Sequence, residues 1–216
     1  MALAFLFPHP TLVAPEYDPK DGSYSYFGGD FKTWNIPNDK PGKFTSRQLF
    51  KAGSPHTVRS RSAVYTTPPY HYHYYQVERF EVLSGTLCYK IEGVEGKLQA
   101  GEVRTIPTYQ RHTFWSDPSD GNDLEVLITV SGGDNEGFSD DFVHNFYGYL
   151  SSMTIQGKKP NPFQMLSFLH SADVALADVP FCFYLAPAVN FIFGKVIGQY
   201  IAGYQTSYKV FSQVAQ

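Results

Sequence analysis

The sequence predicts an all-β fold, a sandwich or jelly-roll barrel, with an N-terminal β-arm and a helical C-terminal extension. Three observations lead there. The middle of the chain is a series of short segments separated by glycine turns. The first part is rich in Gly, Pro, Tyr and Asn and has no sustained helical period. The last part switches to helix signals. The divisions fall at residues 1–60, 61–131 and 132–216.

In the first part, Pro8, Pro10, Pro15, Pro19, Pro37 and Pro41 break any long element. The expectation is an arm of short strands that wraps the core or exchanges with a neighbouring subunit. In the middle part, Arg79–Leu83 reads as a strand running into a turn at Ser84-Gly85. Thr86–Glu92 alternates and places Leu87, Tyr89 and Ile91 on one face. Gly93–Gly96 reads as a turn, strands follow at Lys97–Ala100 and Glu102–Ile106, and Leu124–Val130 closes the set. In the last part, Gly132–Asp141 reads as an acidic loop. Asn161-Pro162 then supplies a helix start, with Phe163, Leu166 and Leu169 at helical spacing. A second helix is predicted from near Pro187 through Ile201, ending around Gly203.

Composition narrows the function. The chain has 216 residues, 43% hydrophobic and 17% charged, with 36 aromatic residues and a net charge of −3. Nucleic-acid binding needs a basic surface, and disorder needs high charge with few aromatics, so neither fits. Cys88 and Cys182 are too few for a disulfide framework and lack zinc-motif spacing. Met1–Pro8 has no basic region before its apolar run, so a cytoplasmic location is expected. Val174–Phe193 is nearly continuous apolar sequence, but Asp178, Pro180, Pro187 and Asn190 interrupt it. That leaves peripheral membrane contact, rather than a span, as the membrane alternative.

The chemistry concentrates in Tyr70–Gly85. On a strand, His71 and His73 share a face, and Glu78 follows a short kink at the start of the next strand. Two imidazoles and a carboxylate from facing strands can make a metal shell with open positions. With Gly101-(X)5-Pro107-(X)4-His112, the pair of segments resembles the cupin superfamily. His71, His73, Glu78 and Gly85 fit HXH(X)4E(X)6G, and Gly101, Pro107 and His112 fit G(X)5PXG(X)2H(X)3N, with fifteen residues between the two. Tyr65, Tyr109 and Ser116 stand where those patterns have Gly, Gly and Asn.

The resemblance implies a cupin double-stranded β-helix and a divalent metal held by His71, His73, Glu78 and His112. Iron(II) is favoured, with manganese, nickel or zinc open. Short fungal cupins near natural-product pathways carry a similar tail. The expected function is therefore a metal-dependent enzyme on an apolar or aromatic small molecule, foremost a non-haem iron oxygenase. Two alternatives use the same pocket. One is a cyclase, isomerase or dehydratase, cofactor-free or with a Lewis-acid metal, and the other is a non-enzymatic binding protein.

Glu78 and His112 are the candidate acid/base groups. Tyr109 joins them beside its simpler reading as a turn-packing residue. Tyr75, Phe80 and Val82 are expected to line the pocket by strand parity. Arg104, like Arg111, suits either an anionic substrate or a strand-face charge. His9, His56, His144 and His170 read as structural. Tyr72, facing away from the histidines, and the Gly194/Gly198/Ala202 stripe point to a homodimer.

Overall fold

The computed structural model describes residues 9–37, 42–57, 66–132, 138–178 and 184–212. Tyr65, Cys182, Met1–Pro8 and the middle of the acidic loop lie outside the described residues. Among the described residues, twelve strands form two antiparallel sheets. They are β1 (Glu16–Asp18), β2 (Ser23–Tyr26), β3 (Phe31–Asn35), β4 (Lys43–Phe50), β5 (His71–His73), β6 (Val77–Ser84), β7 (Thr86–Ile91), β8 (Val94–Gln99), β9 (Val103–Ile106), β10 (His112–Ser116), β11 (Leu124–Ser131) and β12 (Val174–Leu176). The first sheet runs β1-β2-β3-β4-β11-β6-β9 and the second β12-β5-β10-β7-β8. The core lies between them, with Phe31, Phe50, Phe80, Leu87, Phe114 and Val126 buried in one cluster. This is the jelly-roll arrangement the strand spacing predicts.

The alternation in β11 is clean, with Leu124, Val126, Ile128 and Val130 buried and the residues between them half-exposed. β8 starts at Val94, earlier than expected, because the turn is a tight Glu92-Gly93 pair with φ of +48° and +84°. Gly85 also has a required role. Its φ is +70°, and a Cβ there would sit 2.5 Å from the Asp123 carbonyl oxygen.

The N-terminal strands are built into the first sheet of their own chain. β4 pairs along its full length with β11, Lys43 against Ser131 through Phe50 against Leu124, and β3 pairs with β4. The inward residues of β4 include Ser46 and Gln48 beside Phe44 and Phe50, so its hydrophobic alternation is diluted in the sequence.

Helix α1 (Asp140–Ile155) replaces what read as loop leading to no defined element. Ser139 Oγ accepts from the Phe142 N–H, and Asp140 and Asp141 occupy the first turn. Val143 through Met153 are all buried, so the helix has no polar stripe to betray its period. Gly148 lets the Phe211 ring of α4 (Lys209–Ser212) come within 2.6 Å of where a Cβ would sit.

Helix α2 (Pro162–Ser171) begins as predicted, with Asn161 Oδ1 accepting from the Phe163 N–H at 2.9 Å. The second C-terminal helix also forms, as α3 (Ala186–Val189) continuing into a π-helix over Asn190–Ile201. Its glycines press on α2: Cβ atoms at Gly194 and Gly198 would collide with the carbonyl oxygens of Leu166 and Phe163. Tyr72 and Tyr74, at 1% and 8% exposure, are covered by Ala175 of β12 and Ala186 of α3. Both features that pointed to a dimer are thus covered by the chain itself. No helix among the described residues is long and apolar enough to cross a membrane.

His144 ties α1 to the first sheet. Its Nδ1 accepts from the Tyr26 hydroxyl at 2.5 Å, and its Nε2–H donates to Asn35 Oδ1 at 3.0 Å. Burial, only partly opposed by Asp141, lowers its pKa from 6.5 to about 4. The unfolded chain therefore takes up a proton near pH 6.5 and the folded chain only near pH 4. Stability is lost as pH falls between those values. Relative to His144→Gln, the wild-type protein is expected to lose about 2–3 kcal/mol of unfolding free energy between pH 7 and pH 4.5. Urea titrations at the two pH values check this, and parallel behaviour of the two proteins would refute it.

Candidate metal centre

Strand periodicity and sheet register together build the site. His71 and His73 lie two apart on β5 and project inward, and His112, the first residue of β10, is registered against His71. Glu78 comes from the opposite sheet, on β6 between Ile106 of β9 and Val130 of β11. The four side chains are 7%, 2%, 1% and 4% exposed for His71, His73, His112 and Glu78. One ligand atom from each lies within 4.8 Å of every other. A first-row ion with bonds of about 2.1 Å places neighbouring ligand atoms about 3 Å apart, and opposite ones about 4.2 Å apart. The spread of the cluster suits such an ion.

The hydrogen bonds suit it too. His71 Nδ1 lies 2.7 Å from the Pro69 carbonyl oxygen and His112 Nδ1 lies 2.8 Å from that of Gln110. A carbonyl only accepts, so both rings donate from Nδ1 and turn an Nε2 lone pair inward. His112 Nε2 then faces Glu78 Oε2 at 2.6 Å, two lone-pair atoms that require a cation, either a proton or a metal. His73 Nε2 is 3.7 Å from the same oxygen, and among the described residues neither ring nitrogen of His73 has a hydrogen-bond partner. A buried imidazole with both nitrogens unpaired is costly unless an ion takes one of them. Burial, reinforced by positive charge at His112 and His73, holds the His71 pKa well below 6.5, so its ring stays a neutral donor. Burial acts to raise the Glu78 pKa, but contact with His112 and His73 outweighs it and holds the carboxyl well below the ordinary range. Three imidazoles and one carboxylate are a donor set for a divalent ion.

Beside the ligands lies a cavity of about 60 Å³ that His71 and Glu78 border. Its walls are mostly apolar, from Phe114 and Ile128 on the sheets and Phe138, Phe142 and Phe146 along the approach to α1 and the helix itself. These last three rings contact one another in sequence, tilted, with centroids 4.8 and 5.5 Å apart, and the Phe138 ring is 5.5 Å from that of His73. Gln48 and Tyr147 also border the cavity, and neither carried a signal in the sequence.

The structure brings together His71, His73, Glu78 and His112 and leaves the other candidates outside the cavity. Phe80, fully buried, packs behind His112 at 6.4 Å, and Val82 lies deeper in the core, so neither forms the cavity wall. Tyr75 is 58% exposed, because β5 ends at His73 and the parity of the histidines does not extend past it. Arg104 sits on edge strand β9, exposed, with its guanidinium 5.6 Å over the Tyr89 ring. Arg111 forms a two-pronged pair with Glu92 on the surface. Tyr109 is 51% exposed, with its ring against that of Tyr72 and outside the cavity lining.

Residues 61–130 match the family described as Cupin domain. A probable oxidoreductase of Hypocrea virens, virH, is 26% identical over 191 residues, covering 87% of this chain and 85% of its own. An oxidoreductase of Arthrobotrys oligospora is 31% identical over 157 residues, 69% of this chain and 61% of its own, and iacF of Pestalotiopsis fici is 36% identical over 114, 51% and 56%. The chain therefore spans less than two thirds of the latter two relatives. Among solved structures, KdgF from Halomonas sp. is 15% identical with a TM-score of 0.38, covering 48% of this chain and 80% of its own.

Tyr109 has a structural explanation. Its φ is +62°, the left-handed region where the cupin pattern has glycine. The turn is held by its N–H donating to the His73 carbonyl at 2.9 Å and by its ring against Tyr72 at 6.1 Å. It thereby joins the end of β5 to the loop that delivers His112. Tyr109→Ala loses the ring contact and keeps the strain, whereas Tyr109→Gly loses both. The glycine variant is expected to be the more stable of the two by about 1 kcal/mol in denaturant unfolding. Equal stabilities would show that the backbone here is unstrained.

Proposed function

We propose that this chain, whose residues 61–130 are a cupin domain, is a metal-dependent oxidoreductase, and within that class a non-haem iron(II) oxygenase of an apolar or aromatic small molecule. The convergence of three histidines and Glu78 around the unpaired His73 nitrogens supports the metal, and the naming of the fungal relatives as oxidoreductases supports redox chemistry. When bound, iron(II) supplies open positions and redox chemistry for dioxygen. Manganese, nickel and zinc fit the same donors.

The chain's own residues do the rest. The carbonyls of Pro69 and Gln110 fix the ring tautomers of His71 and His112, so the site needs no rearrangement to present its lone pairs. Glu78 contributes the single anion. Phe138, Phe142 and Phe146 exclude water beside the ligands and offer flat faces to an aromatic substrate. A second reading rests on the 2.6 Å contact of His112 with Glu78. The pair can shuttle a proton in a cofactor-free isomerase or cyclase.

His73→Ala separates the two readings, because that ring makes no hydrogen bond whose loss would disturb the fold. Protein purified without chelator is expected to carry close to one metal ion, and the variant at least about 10-fold less at the same free metal, with unchanged circular dichroism. A wild-type protein that takes up no added metal, or a metal-free variant that remains active, would transfer the assignment to the proton-shuttling pair.

A further inference from the structure

One polar group of the cavity is left unexplained by the metal centre. Gln48 lies on β4, registered against Val126 of β11 and Thr33 of β3, and is 4% exposed. It borders the same cavity as His71 and Glu78, and its Oε1 is buried with no hydrogen-bond partner among the described residues. A buried amide carbonyl without a donor is destabilising, and an apolar side chain of equal size would fill the position without that penalty. What the atom lacks is a donor, and the cavity is where one can come from.

The rest of the lining says what kind of molecule brings it. Tyr147 spends its hydroxyl hydrogen on the Thr66 carbonyl, at 3.4 Å. His71 spends its N–H on Pro69. Among the described residues no lysine or arginine borders the cavity, and Arg104 and Arg111 are on the surface. A carboxylate or phosphate would find no counter-charge there apart from the metal. A neutral ring bearing a hydroxyl fits both the aromatic walls and the waiting acceptor.

We propose that Gln48 is a specificity-determining residue that accepts a hydrogen bond from the hydroxyl of a neutral aromatic substrate, holding the ring between the phenylalanine wall and the His71/Glu78 edge. The proposal rests on the cavity being the substrate site of the metal-dependent enzyme, although the contact itself needs no metal.

Full-length protein, as purified and again after chelation, is titrated with p-cresol, 4-methylanisole, toluene and p-toluate, with binding followed by ligand-observed NMR. The wild-type protein is expected to bind p-cresol at least about tenfold more tightly than 4-methylanisole or toluene, as one buried hydrogen bond provides. It is expected to bind p-toluate worst in the chelated state. Gln48→Met, nearly equal in size, is expected to keep toluene binding and metal content while the p-cresol preference falls towards one. A preference retained in Gln48→Met, no preference in the wild type, or tighter binding of p-toluate by chelated protein would overturn the proposal. The wild-type probe series decides the matter even if the variant does not fold. Loss of metal binding with the p-cresol preference intact would instead count against the metal assignment alone.

Discussion

A carboxylate kept ionised inside an aromatic core is the constraint around which this molecule is arranged. Glu78 is 4% exposed, and burying a lone anion is prohibitive unless partners surround it. Its partners cannot come from its own sheet, where neighbouring inward positions are filled by Phe80 and Val130. They come from the facing sheet, as three imidazoles. Two sheets must therefore stack in one relative register, and the antiparallel pairing of His112 with His71 sets half of it. The strained turn at Tyr109 sets much of the remainder, because it binds the end of β5 to the start of β10.

The helices finish what the sandwich leaves open. α1 lays Phe142 and Phe146 along the cavity beside the ligands, and its far side is packed by α4. Its position is fixed from the first sheet by the Tyr26–His144–Asn35 bonds. β12 pairs along the edge of β5, and its Ala175 with Ala186 of α3 packs against Tyr72 and Tyr74 on the outer face. The strand that carries two ligands is thus held on both faces, which limits how far either ring can drift from the other two ligands.

What the sequence disclosed follows from which signals are local. His71, His73, Glu78 and His112 were legible because strand parity and motif spacing act over a few residues. The start of α2 was legible because Asn161 and Pro162 act on the backbone beside them. The same parity failed at Tyr75, where β5 had already ended, whereas Arg104 is the strand-face charge that was one of its two readings. α1 went unseen because helix periodicity shows only when one side is wet. β4 and Gln48 went unseen because their surroundings are supplied by β11 and by the cavity, both remote in the chain. A polar residue on an inner face looks, in sequence, like a strand facing solvent.

The pairing of β4 with β11 also bears on how the protein is made. During translation, Lys43–Phe50 emerges well before its partner Leu124–Ser131, so one edge of the early strands stays without a neighbour while the intervening chain is added. The ligands from His71 to His112 leave the ribosome next, and the aromatic roof at Phe142 and Phe146 only after them. The four residues of the candidate metal centre are therefore synthesised before Phe142 and Phe146, and those two rings can close beside the site only after all four side chains have left the ribosome.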